Sequence, residues 1–164
     1  VDKNKLSKPE RDFLNKITPL AITISQWTRD KAYFLKVPIK HSIYPSIIIA
    51  DIIIESNWGT HPLAQPQYNK RYSNNLTLSE VDEIWEGKIQ RYAKKEYKAF
   101  QDWAHFATDY SDRLIFSHKY KSLFNTSDYK KQIESLSKYK PEPRHFAAKC
   151  ETLLDFYFLF EMDR

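Results

Sequence analysis

The segment Ile47-Ile-Ile-Ala-Asp51-Ile-Ile-Ile-Glu55-Ser-Asn-Trp58-Gly59 constrains this chain more than any other. Six isoleucines so closely spaced must be buried, so an acid at the end of the run sits at the rim of a core. Burial disfavours an ionised carboxylate and strengthens the hold of Glu55 on its proton, which is what a general acid working near neutral pH requires. Composition alone would also suit a buried strand, because β-branched residues favour sheets. Asp51 and Glu55 are four apart, however, and a helix gathers them into one polar stripe with Ser46 close by. The expectation is a helix, with Pro45 in its first turn and Gly59 in the chain reversal that follows it. Asp51, a like charge one turn away, would raise the Glu55 pKa further.

The remaining composition bounds the function. A chain of 164 residues is expected to form a single domain over 1–164, large enough for a core without disulfides or metals. Two glycines leave no room for a phosphate-cradling loop. The single Cys150 has Phe146, Leu153 and Leu154 at helical spacing and reads as a packed thiol. Five scattered histidines show no ligand spacing, so neither a metal nor any other cofactor is expected.

A net charge of +5 points to polyanionic surroundings: nucleic acid, anionic lipid, or a cell wall with its anionic polymers. The pairs Lys94-Lys95 and Lys130-Lys131 read as solvated surface. Without zinc-finger spacing or a strand motif of the RNA-binding kind, nucleic acid is not an expected partner. No apolar stretch is long enough to span a membrane. The chain opens on Val1 rather than a signal peptide, and its start is expected to be a processed end or a cut from a longer protein.

The patterning predicts a mainly α fold with a small β-hairpin, an α+β arrangement. Ser7-Lys-Pro-Glu10 reads as a capping box opening a helix with Phe13, Ile17, Leu20, Ala21, Ile24 and Trp27 on one face. Pro19 should kink or restart it. Lys36 to Tyr44 is a connector and residues 60–80 are a loop region. Glu83 to Tyr92 places a Glu86-Gly87 turn between short Ile, Trp and Tyr runs, which suggests the hairpin. Helical period returns from Asp102 with Trp103, Phe106, Tyr110 and Leu114. A further helix begins near Thr126 to Asp128, and Pro141 and Pro143 separate it from a last one running from Arg144 to about Phe160.

An acid ending a buried helix, a hairpin with further carboxylates and an aromatic-rich chain form the lysozyme-like pattern for cutting a glycan. Pro45 to Ala50, then Glu55-Ser-Asn-Trp-Gly59, resembles the helix and catalytic turn of the endo-β-N-acetylglucosaminidases of glycoside hydrolase family 73, which include bacterial autolysins and flagellar rod hydrolases. Asn74-Asn75-Leu76 resembles the start of that family's Asn-Asn-Leu-Phe-Gly-Ile-Lys motif, and Glu83 with Gly87 its Glu-Tyr-x-x-Gly hairpin. Phe100-Gln-Asp-Trp103, Asp112 and the helix from Phe13 to Ala21 extend the likeness over most of the chain. The departures are Thr77-Leu78-Ser79 for Phe-Gly-Ile and Asp51 where a glutamine is usual. The segment Tyr139-Lys-Pro-Glu142-Pro143 resembles only loosely the family's Tyr-Ala-Thr-Asp-Pro.

The resemblance implies hydrolysis of peptidoglycan glycan strands by a secreted or wall-associated protein, with a phage-associated one as the alternative. In that reading Glu55 donates the proton, and Glu83 is the carboxylate that activates water in an inverting displacement. Glu86, at a turn tip, is the poorer candidate. Tyr139 would instead serve a route in which the substrate's own N-acetyl group assists. Trp58 and Tyr72 would stack on sugar faces, with Asn75 and Asp51 as further substrate contacts. A muramidase or lytic transglycosylase, or an inactive wall-binding module, are the alternatives.

Overall fold

The computed structural model describes residues 6–65, 74–156, 159 and 163. Helix α1 (Lys8–Phe34) opens on the expected capping box, with Ser7 Oγ accepting from the Glu10 amide and the Glu10 carboxylate from the Ser7 amide. Pro19 neither ends nor restarts it, and α1 runs unbroken for 27 residues. An internal proline costs a helix about 3 kcal/mol or more. Leu14 and Ile17 before it, and Leu20, Ala21 and Ile24 after it, are buried in the same core. At roughly 1.5–3 kcal/mol for each such side chain, continuous packing outweighs the lost bond.

Helix α2 (Pro45–Ser56) is the isoleucine run, with Pro45 in its first turn. It is buried on nearly every side, as so apolar a helix must be, and packs against α1 and the last helix. Tyr44 at its start offers no capping side chain. Asp163 does so from the far end of the chain, accepting from the Ser46 amide at 2.8 Å and the Ser46 hydroxyl at 2.7 Å, and also from Tyr129 Oη.

The hairpin is present, but its turn is not at Glu86-Gly87. Strand β1 (Lys88–Tyr92) pairs antiparallel with β2 (Lys95–Ala99), with Tyr92 opposite Lys95. The turn is therefore Ala93-Lys94, at φ 50° and 67°. A two-residue hairpin of this hand needs positive φ at both positions, which Asn-Gly signals and Ala-Lys does not. Gly87 lies ahead of β1, where a Cβ would overlap the Trp85 ring.

Asp102 caps α3 (Trp103–Phe116), and Phe106, Tyr110 and Leu114 face inward as the period predicts. A 3₁₀ segment over His118–Asn125, which no sequence signal announced, leads to α4 (Tyr129–Ser137), capped by Asp128. Helix α5 (Pro143–Phe156) starts on the second of the two prolines and buries Cys150 as a packed thiol. The expected class, mainly α with one small hairpin, is the observed one.

Candidate active site

Glu55 occupies the last turn of α2, where the helix leaves the core. Behind it the chain reverses through three consecutive left-handed residues, Asn57, Trp58 and Gly59, at φ 48°, 57° and 76°. Ser56 fixes this turn: its hydroxyl donates to the Ile52 carbonyl at 2.6 Å and accepts from the Gly59 amide at 2.9 Å. Gly59 is required twice over, by its φ and because a Cβ there would overlap the Phe13 ring. Trp58 meets Phe13 edge-on at 6.5 Å between centroids, so its ring is part of the packing beside the acid.

Lys140, from the connection between α4 and α5, joins the two carboxylates of α2. Its Nζ donates to Asp51 Oδ1 at 2.9 Å and to Glu55 Oε1 at 2.7 Å. Tyr110 of α3 donates to the other Asp51 oxygen at 2.8 Å. Asp51 is 2% exposed, whereas 21% of the Glu55 side chain reaches solvent. Asp51 is thus enclosed beneath the site, and Glu55 forms its surface.

Burial raises the Glu55 pKa; the Lys140 ammonium opposes that rise, and the Asp51 carboxylate adds to it. The net direction is upward, as the apolar run implies. Burial works against the Lys140 charge, but Asp51 and Glu55 raise its pKa above the ordinary lysine range. Burial and then Asp51 hold the Tyr110 hydroxyl well above the usual tyrosine range, so it stays a donor.

Glu55 opens on a cavity of about 160 Å³ lined also by Lys140, Glu142, His145, Phe146 and Lys149. A smaller space of about 30 Å³ touches Asp51, Tyr110, Arg113 and Lys140 on the inner side. A wider concavity, about 920 Å³, lies between α4, α5 and the 3₁₀ segment, and none of the Asp51–Glu55–Lys140 cluster lines it. Size does not locate the chemistry here; the acid with an altered proton affinity does. Among the described residues no group of three or more His, Cys, Asp or Glu side chains could hold a metal ion.

The other residues singled out from sequence are dispersed. Asn75 is fully buried, its amide donating to the carbonyls of Ser79 and Lys98 and accepting from the Ser79 amide, so it ties its loop to β2. Glu83 is exposed on the turn entering β1, and no hydrogen bond or ion pair links it to the Glu55 cluster. That turn is anchored by its neighbour Asp82, which pairs at 2.7 Å with the buried Lys98. Tyr139 is 48% exposed, edge-on to Tyr120 and flanked by Lys119 and Lys138. Tyr72 lies outside the described residues. No motif in the sequence marks Lys140. The available signal was indirect: an aspartate in a wholly apolar helix must find a buried partner.

The glucosaminidase family, described as mannosyl-glycoprotein endo-beta-N-acetylglucosaminidase, matches residues 31–157. The chain belongs to this family. The match includes all of α2, the hairpin and α5. Exo-glucosaminidase LytG of Bacillus subtilis (strain 168) is 26% identical over 136 residues, covering 76% of this chain and 48% of that protein. The glucosaminidase chain thus spans about half the length of that relative. In fold it is similar to the catalytic domain of the autolysin Auto from Listeria monocytogenes, with a TM-score of 0.72 at 20% identity over 97% of this chain and 90% of that one. The glycoside hydrolase domain of Salmonella typhimurium FlgJ gives 0.69 at 16%, over 93% and 90%. The family and the glycoside hydrolase class expected from sequence are borne out.

Proposed function

We propose that this glucosaminidase domain hydrolyses bacterial peptidoglycan at the β-1,4 bond between N-acetylglucosamine and N-acetylmuramic acid, with Glu55 as general acid. The carrying observation is the placement of Glu55: a carboxyl at the end of a buried helix, facing a cavity, with its proton favoured by burial. Such a group is protonated where free glutamate is not, so it can hand a proton to the departing glycosidic oxygen. The family membership and the autolysin-like fold support the same substrate. A secreted or wall-associated location goes with it, and no helix among the described residues is long and apolar enough to cross a membrane.

For the attacking water of the same displacement we favour Glu83 as the activating base. An inverting pair needs carboxyls about 6.5–9.5 Å apart, leaving room for that water, and the turn bearing Glu83 is one held through Asp82 and Lys98. Substrate assistance would shift the burden to Tyr139, next to Lys140. Glu83→Gln should then lose little and Tyr139→Phe more. Under the base reading the Glu83 variant loses most activity and added azide restores part of it.

The deciding experiment is Glu55→Gln on purified walls, with turbidity and melting followed together. General acid catalysis is worth roughly 10²–10⁴ in rate, and a loss of that order in a folded variant is expected. Near-normal clearing would end the assignment. Product analysis tests the bond: reducing N-acetylglucosamine ends support it, whereas anhydro-muramic ends would indicate a lytic transglycosylase. Released single N-acetylglucosamine units would mark exo action, and complete inertness a wall-binding module.

A further inference from the structure

Two of the chain's departures from the family pattern meet in space. Asp51 stands on α2 where a glutamine is usual, and Lys140 stands in the altered Tyr139–Pro143 segment; the two side chains pair at 2.9 Å. We propose that Lys140, anchored by Asp51, is a positioning residue that holds one oxygen of Glu55 and sets the alkaline limit of its action as an acid. The catalytic meaning of this rests on the assignment of Glu55 above, but the anchoring itself does not.

The charges of the cluster decide where a single proton resides. With all three groups ionised the cluster carries a net negative charge in a largely enclosed place; one proton makes it neutral. Asp51 accepts from both Lys140 and Tyr110, while Glu55 accepts from Lys140 alone. Donors stabilise the ionised form, so the cluster's proton belongs on Glu55, the carboxyl with fewer donors. Lys140 occupies Glu55 Oε1, and Oε2 has no protein hydrogen bond among the described residues, so the proton is directed to Oε2. Asp51 in turn absorbs much of the ammonium charge. Without it, Lys140 would hold Glu55 as a carboxylate and abolish the acid.

Other charges face Glu55 as well. Arg113 on α3 favours its ionised form, and Glu142, His145 and Lys149 line its cavity from the α4–α5 connection and α5. None of these makes a hydrogen bond to either α2 carboxylate. Lys140 alone touches both.

The test is a titration of ¹³C-carboxyl glutamate in the full chain, with Glu55 assigned by its loss in Glu55→Gln, beside the pH profile of wall hydrolysis. Lys140→Met should move the Glu55 titration and the alkaline limb to higher pH, by about one unit or more, because an opposite charge in contact is removed. Asp51→Asn should move both to lower pH, and the double variant should lie between. Lys140→Arg, which keeps the charge, should restore the limb. A folded Lys140→Met with an unchanged Glu55 titration overturns the proposal. Should that variant fail to fold, Asp51→Asn decides alone, and an unchanged or raised titration overturns it. If the titrations move as expected while Glu55→Gln still clears walls, the anchoring stands and the general acid assignment falls.

Discussion

A carboxyl kept protonated for catalysis is held at the expense of stability, and Glu55 shows the sign of that trade. Its pKa is raised in the folded chain, so the native state binds this proton more tightly than the unfolded one. The resulting stabilisation is fully present below the ordinary glutamate range and is lost as pH rises through the raised value. Near neutral pH a permanently neutral isostere should therefore do better. Glu55→Gln should melt higher than the parent at pH 7.5 and show little difference at pH 4; a gain of about 1 kcal/mol would appear as roughly 2–4 °C in a chain of this size. Equal or lower melting at pH 7.5 would mean that Lys140, not burial, governs the group. The acid and the direction of its shift were legible because an isoleucine run dictates its own burial. Lys140 was not: it pairs across 85 residues, the chain offers 26 lysines and arginines, and no periodicity ties one of them to α2.

At the scale of elements, the sequence was legible wherever a local bond defines a boundary. The Ser7 box, Asp102, Asp128 and the Pro141–Pro143 break each mark an end by chemistry within a few residues. It was misleading where distant packing decides, as at Pro19, and where ordinary residues take a positive φ, as at Ala93 and Lys94. The turn after α2 lies between these cases, since Gly59 announces a reversal but not its contact with Phe13 on α1. Gly59→Ala should cost about 2 kcal/mol or more, combining left-handed strain with overlap on Phe13. Adding Phe13→Leu should recover the overlap but not the strain, so the double variant should melt above Gly59→Ala and below Phe13→Leu. Additive losses in that cycle would show that the ring already moves aside.

At the scale of the whole molecule, the charge of +5 is the property most legible in the sequence and least tied to any one element. Several of its cations gather along the α4–α5 concavity, where Lys40, Lys131, Lys138 and Arg144 form no ion pair among the described residues, beside Glu134 and Glu151. A net positive surface should concentrate the protein on walls that carry anionic polymers, through forces screened over about 10 Å at 0.1 M salt and 3 Å at 1 M. Co-sedimentation of Glu55→Gln, which binds without degrading the wall, should therefore weaken several-fold between those salt concentrations. Walls stripped of anionic polymer should bind less at low salt and respond less to its increase. Retention indifferent to both treatments would show that the glycan groove, rather than the charge of the molecule, governs attachment, and would remove anionic wall polymers from its partners.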